Sequence, residues 1–164
     1  MSNKFVVVSF YTLGDGYEKA AKERLIPSLE AHDVPYFIQG VQGHGNWGRN
    51  ILMKSAVILN AMEQAGYSGE NIVWLDADAE LCQYPTLFEE LADQCDFAYH
   101  RRFGRNLSSG TMFFRNKYAC RQLVEHWNRD CDRELDKGGR RTEQALLKSI
   151  LPVHNVSVYD LPRS

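Results

Sequence analysis

The sequence has little excess charge and no long apolar run, and these two absences exclude several classes of protein. It carries 19 Lys and Arg against 21 Asp and Glu, so its net charge is −2. That balance disfavours nucleic acid or an anionic membrane as a partner. No apolar run approaches the roughly 20 residues of a membrane-spanning helix. The apolar run near the N-terminus, 5–8, is too short for a signal peptide, so we expect a cytoplasmic protein.

Cysteine is scarce and scattered, which disfavours a zinc site. The chain has four cysteines, and no two of them form a C-x-x-C pair. Because no secretion signal is apparent, we expect free thiols rather than disulfides. The four positions are Cys82, Cys95, Cys120 and Cys131.

What the chain does have is an alternation of strand and helix patterns without repeats or linkers, so we expect one domain over residues 1–164. The alternation predicts an α/β fold with a mostly parallel central sheet flanked by helices. The predicted strands are Lys4–Tyr11, Val34–Val41, Ile72–Leu75, Asp96–Tyr99, Leu107–Arg115 and Val156–Tyr159. The predicted helices are Tyr17–His32, Arg49–Ala65, Pro85–Gln94, Tyr118–Leu135 and a last one capped by Thr142 that runs to Leu151.

One apolar run ends abruptly in two carboxylates, Asp76 and Asp78. Residues i and i+2 of an extended chain point to the same side, so these two side chains are expected to project together. Two carboxylates at the end of a buried strand suit a hard divalent cation such as Mn²⁺ or Mg²⁺. The alternative is an ordinary turn after a strand, where aspartate is common.

Five short segments of the chain, taken in order, carry a resemblance: Phe10-Tyr11-Thr12, Trp47 with Lys54, Val73-Trp74-Leu75-Asp76-Ala77-Asp78, Ser109-Gly110-Thr111-Met112-Phe113-Phe114 and Thr142-Glu143-Gln144-Ala145-Leu146. Together they resemble a GT-A-type glycosyltransferase, that is, a nucleotide-diphospho-sugar transferase with an Asp-x-Asp motif. The resemblance covers nearly the whole chain and implies a Rossmann-like GT-A fold. Its more specific parts are the Asp-x-Asp segment and the Ser-Gly strand.

The resemblance implies roles for residues on the donor side. Asp78 is expected to bind the metal directly, and Asp76 to bind the ribose, the metal or both. Tyr11 and Thr12 are expected to line the nucleoside pocket, the alternative being an ordinary strand end. Trp47 is a candidate for stacking on a base or sugar, the alternative being a loop anchor.

The resemblance also implies roles near the sugar. Lys54 is expected to approach the diphosphate or the sugar, the alternative being a solvated helix lysine. Ser109 and Gly110 are expected to approach the donor sugar by their backbone, and a glycine inside a strand also indicates a bulge. Glu143 and Gln144 are expected on the acceptor side.

The implied reaction transfers a sugar, of the hexosyltransferase type, from a UDP- or GDP-sugar to an unknown acceptor. A divalent cation stabilises the charge that develops on the leaving diphosphate. An inverting enzyme needs a general base, for which Glu143 is the candidate; a retaining enzyme does not need one there. An acid at this position is also favoured by the helix dipole alone.

The arginine loop and a late histidine each have two interpretations. Arg101, Arg102 and Arg105 form a basic loop that is either solvated or placed to neutralise a diphosphate or an acidic acceptor. His154 is a candidate third metal ligand, with a plain loop histidine after Pro152 as the preferred interpretation.

Other functions are compatible with parts of the pattern. A non-catalytic module that binds sugar nucleotides would keep the donor half only. A nucleotidyltransferase that makes sugar nucleotides is disfavoured, because the loop after the first strand is acidic and lacks Arg and Lys. The chain is short for the resembled family, so we expect a trimmed form, a minimal enzyme or a domain completed by another chain. A homo-oligomer is also compatible with the sequence.

Overall fold

A six-stranded sheet lies at the centre of the protein, in a computed structural model that describes residues 5–65, 69–104 and 106–162. The spatial order of the strands is β2-β1-β3-β5-β4-β6. The strands are β1 (Phe5–Thr12), β2 (Tyr36–Val41), β3 (Asn71–Leu75), β4 (Phe97–Arg102), β5 (Asn106–Phe114) and β6 (Val158–Asp160).

Strand direction is uniform except at β5. The pairs β1–β2, β1–β3 and β4–β6 are parallel, whereas β5 runs antiparallel to both of its neighbours, β3 and β4. The predicted α/β class with a mostly parallel sheet is therefore confirmed. The carboxyl ends of the other strands and the start of β5 meet at one edge of the sheet, where ligands bind in open α/β folds.

Helices cover both faces of the sheet. Three short elements make up the first helical segment: α1 (Gly16–Ala20), a π-helical turn (Ala21–Leu25) and α2 (Ile26–Ala31). The second combines α3 (Trp47–Asn50), a 3₁₀ turn (Ile51–Met53) and α4 (Lys54–Ala65). The others are α5 (Leu87–Leu91), α6 (Tyr118–Asp136) and α7 (Glu143–Ile150), the last followed by a 3₁₀ turn (Leu151–Val153).

The irregular first helix has a local cause. Pro27 lacks a backbone N–H and its ring crowds the carbonyl one turn before it, so a regular α-helix cannot continue through this point. The chain passes through the π-helical turn immediately before the proline. The predicted single helix over 17–32 is thus three helical pieces.

The central strand β3 is buried at every position, as its continuous apolar run predicts. Ile72 and Trp74 pack with α4, α6 and α7 on one face, whereas Val73 and Leu75 pack with α2 and α5 on the other. This double burial fixes where β3 ends and therefore where Asp76 begins.

The hairpin formed by β4 and β5 differs from the predicted basic loop. Arg101 and Arg102 are the last residues of β4, Arg102 pairs with Asn106, and Phe103 and Gly104 have positive φ values. Arg105 lies outside the described residues. A strand extends there because the hairpin partner supplies backbone hydrogen bonds that the local sequence does not reveal.

The register between β4 and β5 jumps within the hairpin. Tyr99 pairs with Met112, but His100 pairs with Ser108, so β5 has a bulge around Ser109 and Gly110. Bulges re-aim side chains and are frequent beside functional sites. The bulge that the glycine indicated is present.

Other predicted bounds shift by a few residues at element ends. The predicted strand residue Lys4 and part of the predicted turn over 66–70 lie outside the described residues. Over the described ranges, no helix is both long and apolar enough to cross a membrane.

Candidate functional site

A cleft of about 740 Å³ lies at the edge of the sheet where the carboxyl ends of the parallel strands meet. Loops after β1, β2 and β3, the bulge of β5 and the start of α7 all contribute to its wall. Ten residues that the sequence predicts for the site line this cleft: Tyr11, Thr12, Trp47, Lys54, Asp76, Asp78, Ser109, Gly110, Glu143 and Gln144. The structure brings them together, and their individual roles stay predictions.

The two aspartates reach the cleft through a turn rather than along a strand. β3 ends at Leu75, and a hydrogen bond of 2.9 Å from the Ala79 N–H to the Asp76 carbonyl closes the turn. The two side chains line the same cleft, as expected, but a turn and not an extended strand brings them there, because β3 ends one residue before Asp76. Asp78 is exposed at the cleft, and the Asp76 side chain is partly exposed.

Lys54 lies beneath the floor of the cleft and is only 4% exposed. Its ammonium group donates to Asp76 Oδ1 (2.9 Å), the Ser109 carbonyl (3.1 Å) and Ser109 Oγ (3.2 Å). Its Nζ also lies 3.2 Å from Glu143 Oε1 and 5.1 Å from the centre of the Trp74 ring. An ammonium has three protons to donate, so these neighbours saturate it.

Hydrogen bonds to Oδ1 consequently hold the Asp76 carboxylate in place. Its Oδ1 also accepts a hydrogen bond of 2.8 Å from Trp74 Nε1. Its Oδ2 lies against the Gly110 backbone, where a Cβ atom at that residue would be 3.3 Å away. The Asp76 N–H donates to the Gly110 carbonyl at 2.9 Å. Gly110 was expected to allow a close approach to its backbone, and the group that approaches it is the Asp76 carboxylate.

Glu143 is the first residue of α7 and is 4% exposed. Its Oε1 accepts a 2.6 Å hydrogen bond from the Ser109 hydroxyl, and its carbonyl accepts one of 2.8 Å from Trp127 Nε1. The neighbouring Gln144 accepts from the Ser109 N–H at 3.1 Å. The start of α7 thus holds the bulge of β5, and Lys54 joins the same network.

Aromatic groups line the cleft at β1 and at the start of α3. Trp47 is 58% exposed, so it is not a core residue, and Tyr11 is partly buried. Lys22 Nζ lies 5.7 Å from the centre of the Tyr11 ring. Thr12 is almost buried, and its hydroxyl donates to the Asp15 carboxylate.

Several lining residues were absent from the sequence prediction of the site. Asp15 and Asn46 are N-caps of the helices α1 and α3, accepting from the Tyr17 and Arg49 N–H groups respectively. The signal was present, because Asp and Asn before a helix favour capping, but the helix starts were predicted too late. Arg102 also lines the cleft, although the sequence placed it in a basic loop without indicating where that loop lies.

The carboxylate oxygens available in the cleft fit a divalent cation that takes its remaining ligands from a substrate. Asp76 Oδ1 is engaged by Lys54 and Trp74, which leaves Oδ2 and the exposed carboxylate of Asp78. In the part of the chain that the structure describes, no group of three or more His, Cys, Asp or Glu is arranged to hold a metal. Mg²⁺ typically binds through one or two carboxylates together with phosphate oxygens and water, which matches this set.

His154 lies elsewhere, against helix α6. Its Nε2 is 2.9 Å from His126 Nδ1, and it does not line the cleft. Burial lowers the pKa of His154, and the neighbouring His126 and Arg129 lower it further. The interpretation of His154 as a structural loop histidine agrees with this packing.

Comparison with known proteins gives similarity in structure but none in sequence. No family model matches the chain, and no curated protein matches it. A glycosyltransferase involved in the glycosylation of the major capsid of PBCV-1 superimposes with a TM-score of 0.71 at 17% identity. That match covers 95% of this chain and 81% of the other. The chain has the fold of a glycosyltransferase.

The glycosyltransferase GlyE of Streptococcus pneumoniae TIGR4 is also similar. The two GlyE structures, one of them the apo form, match with TM-scores of 0.61 at 14% and 15% identity. They cover 98% and 97% of this chain, which spans 45% and 46% of the GlyE chains. At these identities the likeness establishes the fold.

Proposed function

We propose that this chain is a metal-dependent GT-A glycosyltransferase of the hexosyltransferase type, which moves a sugar from a UDP- or GDP-sugar to an acceptor hydroxyl. The observation that carries the proposal is the single cleft in which Asp78 and a fixed Asp76 lie between aromatic residues on one side and the β5 bulge on the other. The glycosyltransferase fold of the structural neighbours supports the same reaction class.

The order of groups along the sheet edge matches the parts of such a donor. Tyr11 and Trp47, at the β1 and β2 end, offer ring faces to a nucleoside. Asp76 and Asp78, after β3, come next and would hold Mn²⁺ or Mg²⁺ at the diphosphate. Gly110, in β5, follows where the sugar would lie. Once bound, the cation supplies Lewis-acid stabilisation of the charge on the departing diphosphate.

The chain's own residues orient these groups. Lys54 fixes Asp76 Oδ1, so Oδ2 and the Asp78 carboxylate remain for the donor complex. In the transfer, the acceptor oxygen bonds to the anomeric carbon, while the bond from that carbon to the diphosphate oxygen breaks and its electron pair leaves with the diphosphate. The hydroxyl proton passes to Glu143 if the enzyme inverts, or to the departing phosphate oxygen if it retains.

Glu143 as the base stays a prediction, and its contacts indicate a second role. A carboxylate that accepts from Ser109 and pairs with Lys54 helps to hold the floor of the cleft. Removing that anchor and removing a base have different consequences for stability and transfer.

Calorimetric titration of UDP- and GDP-sugars with and without Mn²⁺ tests the proposal. We expect Mn²⁺ to increase the affinity of one donor at least tenfold, because its phosphates complete the ligand set of the two aspartates. Asp78→Ala should remove that increase. Asp93→Ala, which removes an exposed carboxylate at the end of α5, is the matched control and should retain it.

Donor binding that is independent of metal, or unchanged in Asp78→Ala, would contradict the proposal. Release of free nucleoside diphosphate separates an enzyme from a binding module. An enzyme releases it slowly by hydrolysis and faster with a suitable acceptor. A non-catalytic module binds the donor and releases none.

A further inference from the structure

A second cavity of about 600 Å³ adjoins the candidate site on the side away from the aromatic residues. It shares Asp76, Asp78, Arg102, Ser108 and Gly110 with the main cleft and extends over the β4–β5 hairpin. Neither Tyr11 nor Trp47 lines it. It therefore begins at the carboxylates and continues beyond the place proposed for the donor sugar.

The strand order places this cavity at the position of an acceptor. Neighbouring strands lie about 4.8 Å apart, so β4 is roughly 14 Å from β1 across β3 and β5. An extended sugar nucleotide that begins at β1 would place its sugar near the β5 bulge. The next free space is then the cavity over the hairpin, where a hydroxyl can approach the anomeric carbon.

The two arginines of this cavity differ in their pairing. Arg101 donates to Asp160 Oδ1 from Nε and Nη2, both at 3.0 Å, and its guanidinium carbon lies 5.9 Å from the centre of the Tyr99 ring. Arg102 is exposed, and no carboxylate partner for it exists among residues 5–65, 69–104 and 106–162. Arg101 is thus neutralised by its partner, whereas the charge of Arg102 is available.

Phe103 follows directly and is 90% exposed, with a φ of 50° that few non-glycine residues adopt. The cavity is therefore lined by an aromatic side chain and a free guanidinium at the hairpin and by the two carboxylates after β3. An aromatic ring packs against the apolar face of a sugar ring, and a guanidinium binds a carboxylate or phosphate through two parallel hydrogen bonds.

Building on the proposed function, we propose that this cavity is the acceptor subsite and that the acceptor is a saccharide bearing an anionic group bound by Arg102. The two ends of the cavity fix the orientation of this acceptor. Its carboxylate or phosphate is attracted by Arg102, so its hydroxyl end faces the donor sugar. A neutral sugar lacks this attraction.

Amide-resolved NMR titration of the ¹⁵N-labelled protein tests the subsite. The probes are glucose, glucuronate and glucose 6-phosphate, added to protein with Mg²⁺ and saturating UDP or GDP, and also to protein without nucleotide. We expect at least one anionic sugar to bind tenfold more tightly than glucose, with shifts at residues 100–104. The two anionic probes distinguish a carboxylate from a phosphate acceptor.

Substitutions in the β4–β5 hairpin provide the second part of the test. Arg102→Gln should lower the affinity for the anionic sugar about tenfold. This decrease should be at least fivefold larger than the decrease in affinity for the nucleotide. Arg102→Lys should retain part of the binding, because it keeps the charge without the planar fork. Arg24→Gln, an exposed arginine of the first helical segment, is the matched control and should change neither affinity.

Four results would overturn the subsite: equal binding of glucose and the anionic sugars, no binding of any probe, unchanged binding in Arg102→Gln, or displacement of the anionic sugar by the nucleotide. Displacement would mean that the anion had occupied the diphosphate position. Failure of the proposed function is distinguishable, since it appears as absence of nucleotide binding while the anionic sugar still binds.

Discussion

At the scale of single residues, Lys54 makes the two aspartates of the site unequal. Its buried ammonium donates to Asp76, whereas Asp78 has an exposed carboxylate. The ammonium beside Asp76 offsets the repulsion between two carboxylates that line the same cleft before any metal binds. We infer that the free protein holds a metal weakly and that a nucleoside diphosphate strengthens the binding, which is the behaviour that the donor titration measures.

The first stability prediction concerns Glu143, which pairs with Lys54 and accepts from Ser109. Glu143→Gln leaves a buried ammonium with one carboxylate fewer, and breaking a buried pair in this way costs about 3 kcal/mol. We expect urea-induced unfolding at pH 7 to show this decrease in the free energy of unfolding. Glu63→Gln, on the exposed face of α4, should change it by no more than about 0.5 kcal/mol.

The same variant separates the anchor from the base. If Glu143 is the general base, Glu143→Gln keeps donor binding and slows transfer by about 100-fold or more. If it is only an anchor, transfer falls together with stability and donor affinity. A decrease in the free energy of unfolding smaller than about 1 kcal/mol would contradict the anchor role.

At the scale of elements, the loop between α6 and α7 sets where the cleft ends. The buried Glu134 accepts hydrogen bonds from the N–H groups of Arg140 (2.7 Å) and Arg141 (2.9 Å). The Glu134 carbonyl accepts from the Gly139 N–H at 2.9 Å, and Gly139 has a φ of 73°. One side chain of α6 therefore determines how the chain enters α7, whose first residues line the cleft.

This arrangement predicts a pH-dependent contribution to stability from Glu134. The Arg141 and Arg140 backbone N–H groups lower the pKa of Glu134 below its ordinary value of 4.5. A carboxyl group whose pKa is lower in the folded state stabilises the fold above its unfolded-state pKa, and the contribution is lost as pH falls through the folded-state pKa. We expect Glu134→Gln to cost about 1.5 kcal/mol at pH 7, as for a hydrogen bond to a charged group.

Urea unfolding of the wild type and Glu134→Gln between pH 7 and pH 3 measures the effect. The difference in free energy should be constant at neutral pH and shrink below about pH 4. Asp136→Asn, which changes an exposed residue of the same helix end, serves as the control. A difference that grows on acidification would show that the carboxylate does not stabilise the loop.

The elements that follow local rules were predictable from the sequence, and those set by distant partners were not. β3 is a continuous apolar run, and Thr142 caps α7 by accepting from the Ala145 N–H as its sequence context predicts. The direction of β5 and the extension of β4 through Arg102 depend on strand pairing, which leaves no mark in either segment alone.

The candidate site shows the same division. Residue types and their order were enough to collect its lining residues, because strand ends and helix starts converge on one edge of an α/β sheet. The contacts among them were not predictable. Lys54, Asp76 and Glu143 belong to three segments far apart in the chain, and only the packed fold shows that they form one network.

At the scale of the whole molecule, the sheet separates two apolar layers, and three cysteines are buried within them. Cys120 and Cys131 lie in the layer with α4, α6 and α7, and Cys95 lies in the other. Burial raises the pKa of Cys95 to about 11 and that of Cys131 to about 12, and it also raises the pKa of Cys120. Cys82 is exposed.

Thiol reactivity therefore reports on the integrity of both layers at once. Because the thiolate is the reactive form, we expect dithionitrobenzoate at pH 8 to modify only Cys82 rapidly in the folded protein, and all four cysteines in denaturant. Cys82→Ser should remove the rapid phase and leave slow modification that is limited by opening of the core. Rapid reaction of a second thiol under native conditions would mean that one layer opens far more readily than the dense packing on both faces of β3 implies.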